Sequence, residues 1–236
     1  MNIIKLELKK IFSCKCIYIG LLISLITGGL MTYTAFNNPE FFQFKHTQAF
    51  YAAYFMQVMI IYLIVDNIYS EYNQGTIKLL CNNDLGLNKI FINKLICILI
   101  TCIFLSVINI IFNIFVFKIL SPDINIVTFS LQRLCVYLLF AFTIYSTVVL
   151  MYSISKKNTF TLCFLILLFY LAHDFIDVLA AKLNISQNIL DLISFYSLGS
   201  GMQGFYFNAN MIIGALIWSA VCLFSGLFII SKQDIC

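Results

Sequence analysis

The chain has 236 residues, of which 62% are hydrophobic and only 10% charged, and its formal net charge is +4; its mean hydropathy is +0.98. A soluble domain carries roughly a quarter charged residues, so this chain cannot cover itself with polar surface, and its apolar residues fall instead in runs of about 20, the length that crosses a hydrocarbon core. An open sheet leaves hydrogen bonds unmade in lipid and the runs lack the strict alternation of a barrel, so an all-α polytopic membrane protein is predicted, one transmembrane domain over residues 1–236.

The chain opens on an amphipathic stretch, 1–15, with Ile3, Ile4, Leu8, Ile11 and Phe12 around one helical face and Lys5, Lys9 and Lys10 among the polar positions. It reads as an interfacial helix. The apolar run behind it extends to about Phe36 without an A-x-A-like cleavage site, so it is expected to stay as an anchor and not to be removed as a signal peptide. Candidate spans follow at 16–36, 49–69, 95–120, 134–152, 160–179 and 211–230, about six in all. With the amino terminus inside, the inner segments hold Lys5, Lys9, Lys10, Lys15, Lys78, Lys89, Lys94, Lys156, Lys157 and Lys232, against Lys45, Lys118, Arg133 and Lys182 outside. That asymmetry predicts two cytosolic termini. It also accounts for the net charge through topology and lipid headgroups, which leaves no basic soluble face for nucleic acid. The heavy use of Ile, Asn, Lys, Phe and Tyr fits an AT-rich bacterial genome and hence a bacterial cell membrane.

Within the first span Gly20, Ser24 and Gly28 share a face and permit close approach of another helix, either within the chain or from a second copy. Thr27 and Met31 form an i,i+4 pair there, and Tyr51, Tyr54 and Gln57 lie within two turns of the second span. In the third span Ser106, Asn109 and Asn113 share a face. Amides are costly in lipid, so these turn to protein or to a hydrated pathway. Asp66 and Glu71 lie near the inner end of the second span, while His173, Asp174 and Asp177 crowd the outer end of the fifth. The outer segment 180–210 has helically spaced Ile185, Ile189, Leu190, Leu192 and Ile193, followed by Gly199, Gly201 and Gly204, and predicts short extracellular helices or a re-entrant element. The nine cysteines form no C-x-x-C pair, and His46 and His173 are the two histidines, so the cysteines read as reduced hydrophobes and no metal site is expected.

The inner segment 70–93 is polar yet amphipathic. It reads Glu71-Tyr72-Asn73-Gln74-Gly75-Thr76-Ile77-Lys78-Leu79-Leu80, then Asp84-Leu85-Gly86-Leu87-Asn88-Lys89-Ile90-Phe91 and on to Lys94. An acid four positions before Gly-Thr, an I-K-L-L helix, a short break and a K-I-F-x-x-K return together resemble the cytosolic loop of type-2 ABC transporter permeases, with Asn83 and Asp84 where the family usually has a proline near the break. The amphipathic first helix and the six-span layout extend that similarity over nearly the whole chain.

The resemblance implies a non-catalytic export permease whose 70–93 loop holds a coupling helix seated on a cytosolic ATPase. Glu71, Gly75, Thr76, Lys78, Leu79, Leu80, Leu85 and Lys89 would carry that contact. The chain lacks the G-x-x-x-x-G-K-[ST] phosphate loop. ATP and Mg therefore belong to a partner ATPase, expected in two copies beside two permeases, most simply a homodimer. By analogy with short permeases of this type, the cargo is expected to be an amphipathic or antimicrobial peptide or peptide toxin, passing Thr27, Met31, Tyr54, Gln57, Ser106, Asn109 and Asn113. Gly20, Ser24 and Gly28 would form the dimer seam. The rival readings are an intramembrane enzyme such as a protease at His173, Asp174 and Asp177, which lacks a motif-tied nucleophile, and an ion-driven secondary transporter, which would favour acids near the membrane midplane.

Overall fold

In the computed structural model, which describes residues 3–38, 54–73, 87–120, 125–203 and 207–232, the chain is helical, with no strand among the described residues. In chain order the helices are α1 (Ile3–Ser13), α2 (Lys15–Asn37), α3 (Tyr54–Asn73), α4 (Leu87–Leu120), α5 (Ile126–Ile154) and α6 (Asn158–Ile166). A π segment, Leu167–Leu171, joins α6 to α7 (Ala172–Leu183), and α8 (Gln187–Leu192), α9 (Ser194–Gln203) and α10 (Ala209–Lys232) follow. Among the described residues four helices are long and apolar enough to cross a membrane: α2, the 89–116 part of α4, α5 and α10. Phe55–Ser70 in α3 and Asn158–Phe169 are shorter apolar stretches.

α5 is the hub of the bundle. Its start is fixed by Asn125, whose side-chain oxygen accepts from the backbone N–H of Val127 at 3.1 Å and of Thr128 at 3.3 Å, the bonding of a helix N-cap. From there it packs on α3, α4, α9 and α10, and Tyr137, Phe140, Tyr145 and Tyr152 are fully buried along it. Buried phenols need partners: Tyr145 donates to the Phe91 carbonyl at 2.6 Å. α10 is tied to the same helix by Trp218 Nε1, which donates to Thr147 Oγ1 at 3.0 Å, and by Ser219 Oγ, which donates to Thr143 Oγ1 at 3.2 Å. On the other flank α2 leans on α3, and it turns Leu22, Leu30 and Tyr33 outward. Large exposed apolar side chains on helices of this length are the surface that lipid covers.

Two glycines on α10 let backbones meet. A Cβ at Gly214 would overlap the Leu192 carbonyl oxygen, and one at Gly226 would come within 2.9 Å of the Leu150 backbone nitrogen. Neither neighbour can step aside as a flexible side chain can. Gly214→Ala is therefore expected to destabilise the chain by about 2 kcal/mol through overpacking. Gly29→Ala, whose Cβ meets nothing within 4 Å, should be neutral or stabilise α2 by up to about 1 kcal/mol. Denaturant unfolding of the two variants in detergent checks the contrast, and equal stabilities would contradict the close approach at Gly214.

Candidate functional site

The most concentrated polar chemistry lies where α1 meets the end of α3 and the start of α4. The α1 helix has an apolar face that packs across α4, with the Phe12 and Phe104 rings edge to face at 5.4 Å. This orientation carries Glu7 inward. Glu7 Oε1 lies 3.3 Å from Lys94 Nζ, and the lysine side chain is 3% exposed. Lys94 also donates to the Asn67 carbonyl at 2.8 Å, while Asn67 Nδ2 donates to Glu7 Oε2 at 3.2 Å. A turn further along, Lys10 Nζ donates to Ser70 Oγ at 2.7 Å. A buried charge is tolerated only when paired and hydrogen-bonded, and here one carboxylate, one ammonium and one amide satisfy each other across three helices.

Beside this cluster Tyr69 Oη donates to the Ser155 carbonyl at 2.8 Å and lies 2.6 Å from Thr161 Oγ1, while its ring meets Tyr152 edge to face at 5.3 Å. The base of α3 is thereby tied to both sides of the 155–157 connection. The segment expected to couple to a partner is thus flanked by pinned helices. α3 continues to Asn73 and α4 begins at Leu87, so helix occupies both ends of the 70–93 stretch. Glu71 lies on the last turn of α3, and Lys89 is exposed on the first turn of α4. Gly75, Thr76, Lys78, Leu79, Leu80 and Leu85 lie outside the described residues.

A second polar anchor holds the opposite end. Arg133 is 2% exposed, and its Nη1 donates to the Gly201 and Met202 carbonyls at 3.2 and 2.9 Å, with the guanidinium 5.3 Å from the Phe129 ring centroid. Gln57 Nε2 donates to the Gly199 carbonyl at 3.3 Å. Arg133 thus meets carbonyls of the last turn of α9, which a helix leaves without partners of its own, and Gln57 meets one just before that turn. Asp191, 1% exposed, accepts from Gln187 at 3.2 Å and Asn208 at 3.0 Å. Tyr196 Oη donates to Asp177 at 2.7 Å. Burial first, and then this hydrogen bond to a carboxylate, push the Tyr196 pKa up to about 12, so the phenol stays the donor.

Two readings of the sequence need correction. Lys94 and Arg133 entered the balance of loop charges, yet both are buried among helices and do not contribute to surface charge. Gly20, Ser24 and Gly28 face into the chain's own bundle: Ser24 is fully buried, Gly28 is buried, and a Cβ at Gly20 would lie 2.5 Å from Met59 Sδ. The close approach at Gly20 is to α3, and Ser24 and Gly28 are buried within the chain itself. Of the side chains assigned to a cargo route, Gln57, Ser106, Asn109 and Asn113 are buried. Asn113 Nδ2 donates to Asn109 Oδ1 at 3.0 Å, and Ser106 Oγ donates to the Ile103 carbonyl at 2.8 Å. Thr27 Oγ1 donates to the Ile23 carbonyl at 2.8 Å, Met31 is half-buried, and Tyr54 opens α3.

Glu7, Asn67 and Asp191 were not singled out from the sequence. A lone acid on a lysine-rich amphipathic helix was the one signal at Glu7, and it pointed equally to a solvated face. No protein-family model matches the chain, and no curated protein matches it.

Proposed function

We propose that the chain is the membrane-spanning permease subunit of an ATP-driven exporter of amphipathic or antimicrobial peptides, with ATP and Mg held by a separate cytosolic ATPase. The reading adds Phe55–Ser70 and the run from Asn158 as further spans beside the four long apolar helices, for six in a bacterial cell membrane with both termini cytosolic. The observation that carries it is the convergence on the 74–86 segment. The helices on both sides of that segment, α3 and α4, are joined to each other and to α1 by Glu7, Asn67 and Lys94. A push on the segment would move three helices together, which is what transmission from an ATPase requires. The type-2 permease pattern between Glu71 and Lys94 supplies the identity of the partner. In this reading two permeases and two ATPases assemble, and the permeases meet on a face other than the Gly20, Ser24 and Gly28 stripe.

Replacing Leu79 and Leu80 together by Asp is expected to release the ATPase while the permease stays inserted, because two carboxylates at a docking groove cost several kcal/mol in desolvation without touching the spans. Copurification of a cytosolic ATPase with the tagged wild-type chain, and its loss from the double variant, is the readout. An ATPase that still copurifies with the inserted variant would remove these leucines from the contact. A wild-type chain that captures no ATPase would remove the exporter reading itself.

A further inference from the structure

The corner between α1 and α2 is built on Cys14-Lys15-Cys16. Cys14 lies between the two helices in extended backbone, with φ −70° and ψ 116°, and Cys16 is on the first turn of α2. Both cysteines are free and partly exposed. Their side chains are in hydrogen-bond contact, and the Tyr62 hydroxyl on α3 meets the same Cys16 sulfur. Two donors thus converge on one thiol.

A third sulfur stands nearby. Gly20 is one turn beyond Cys16 on the same face of α2, and Met59 and Tyr62 share a face of α3. Because Gly20 has no side chain, the Met59 thioether reaches the α2 backbone, where a Cβ would lie 2.5 Å from Sδ. Cys16, Gly20, Met59 and Tyr62 line one cavity of about 270 Å³, and its remaining walls are apolar. Met59, unbranched and with three rotatable bonds, can turn Sδ towards Cys16.

Thiolate and thioether donors select soft cations, Cu(I) among them. Among the described residues no three His, Cys, Asp or Glu side chains converge on a metal position, so what this corner offers is two thiols and a thioether. A disulfide is the rival use of the cysteine pair. Burial above all, then contact with Cys16 and the charge of Asp66, hold the Cys14 thiol above its ordinary range, which disfavours the thiolate that disulfide exchange needs. A metal ion instead displaces the thiol proton as it binds.

We propose that Cys14, Cys16 and Met59 form a three-coordinate site for a soft monovalent cation, Cu(I). Binding releases both thiol protons to solvent and changes no oxidation state. The ion and two thiolates together carry one negative charge, and Lys15, exposed between the cysteines, puts a cation at the same corner. Tyr62 stays as a hydrogen-bond donor to the Cys16 sulfur, the kind of outer support that orients a metal ligand. The bound ion fastens the α1–α2 corner to α3, and the site does not depend on an ATPase partner.

The full chain, purified in detergent with a phosphine reductant, would be titrated with Cu(I) against bicinchoninate, a chelator that colours on taking the ion. One Cu(I) per chain is expected to be withheld from the chelator. Cys14→Ser and Cys16→Ser should each abolish that retention, and Met59→Leu should weaken it about tenfold, the scale of losing a supporting group at a metal site. The double variant Cys135→Ser with Cys163→Ser removes two exposed thiols that do not line the cavity and should retain the ion as the wild type does. X-ray absorption at the copper edge of the loaded wild type, which needs no variant to fold, should show sulfur ligands alone. A wild-type chain that yields all its copper, retention unchanged in Cys16→Ser, retention lost with Cys135 and Cys163, or nitrogen or oxygen in the copper shell would each overturn the site. Unchanged retention in Met59→Leu would remove the thioether and with it the three-coordinate site.

Discussion

Glu7→Leu is expected to destabilise the folded chain by about 3 kcal/mol, because it takes a carboxylate away from the buried Lys94 ammonium. Asn67 loses its carboxylate acceptor in the same step. Glu7→Gln should cost less, since an amide oxygen still accepts from Lys94, although its NH2 then opposes the Asn67 amide. Pairing Glu7→Leu with Lys94→Met should recover most of the loss, as apolar replacements of a buried ion pair commonly do. Unfolding of the four variants in detergent gives the double-mutant cycle directly. Additive single effects would mean that the two charges do not stabilise each other.

Arg133→Met should have a comparable effect at the other end, expressed locally. The charge-assisted bonds from Nη1 to Gly201 and Met202 are each worth about 1.5–3 kcal/mol, offset in part because methionine relieves the burial of a guanidinium. The expected result is a net loss of about 2 kcal/mol and faster amide hydrogen exchange across α9, with the centre of α5 still protected. Gln57 would still hold α9 through the Gly199 carbonyl. Unchanged protection of residues 194–203 would show that α9 is held by packing and not by Arg133.

The long helices were legible because a run of apolar residues is a local property. α2 and α10 differ from the stretches read off the sequence by one or two residues at each end. Polar residues blurred the other boundaries. α5 begins eight positions before the predicted 134, since Ser130, Gln132 and Arg133 depress the hydropathy of its first turns. Arg133 consequently passed for a loop charge. The Asn125 cap was the signal that marked the true start.

Contacts between distant elements are a different matter. Glu7 and Lys94 lie 87 positions apart, and a single sequence holds no mark that joins them. The small-residue stripe on α2 announced a close helix contact without naming the neighbour, which turned out to be Met59 of α3. The Asn109 and Asn113 pair was readable as far as its burial, and its mutual hydrogen bond follows from i,i+4 spacing on one helix.

The run from Asn158 to Leu183 serves two separate cores. Leu165 and Phe169 pack in the main cluster, whereas Ala180, with Ile176 beside it, packs with Leu190 and Tyr196 in a small one. Between them lies the π segment Leu167–Leu171. Its wider turns set the phase of everything after it back by roughly a quarter turn relative to an uninterrupted α-helix. Ile176, Asp177 and Ala180 reach α8 and α9 because of that offset. Orientation between the two ends of the bundle is therefore stored in a few residues of helix geometry, and deleting one residue there would rotate Asp177 away from Tyr196 while leaving every loop length unchanged.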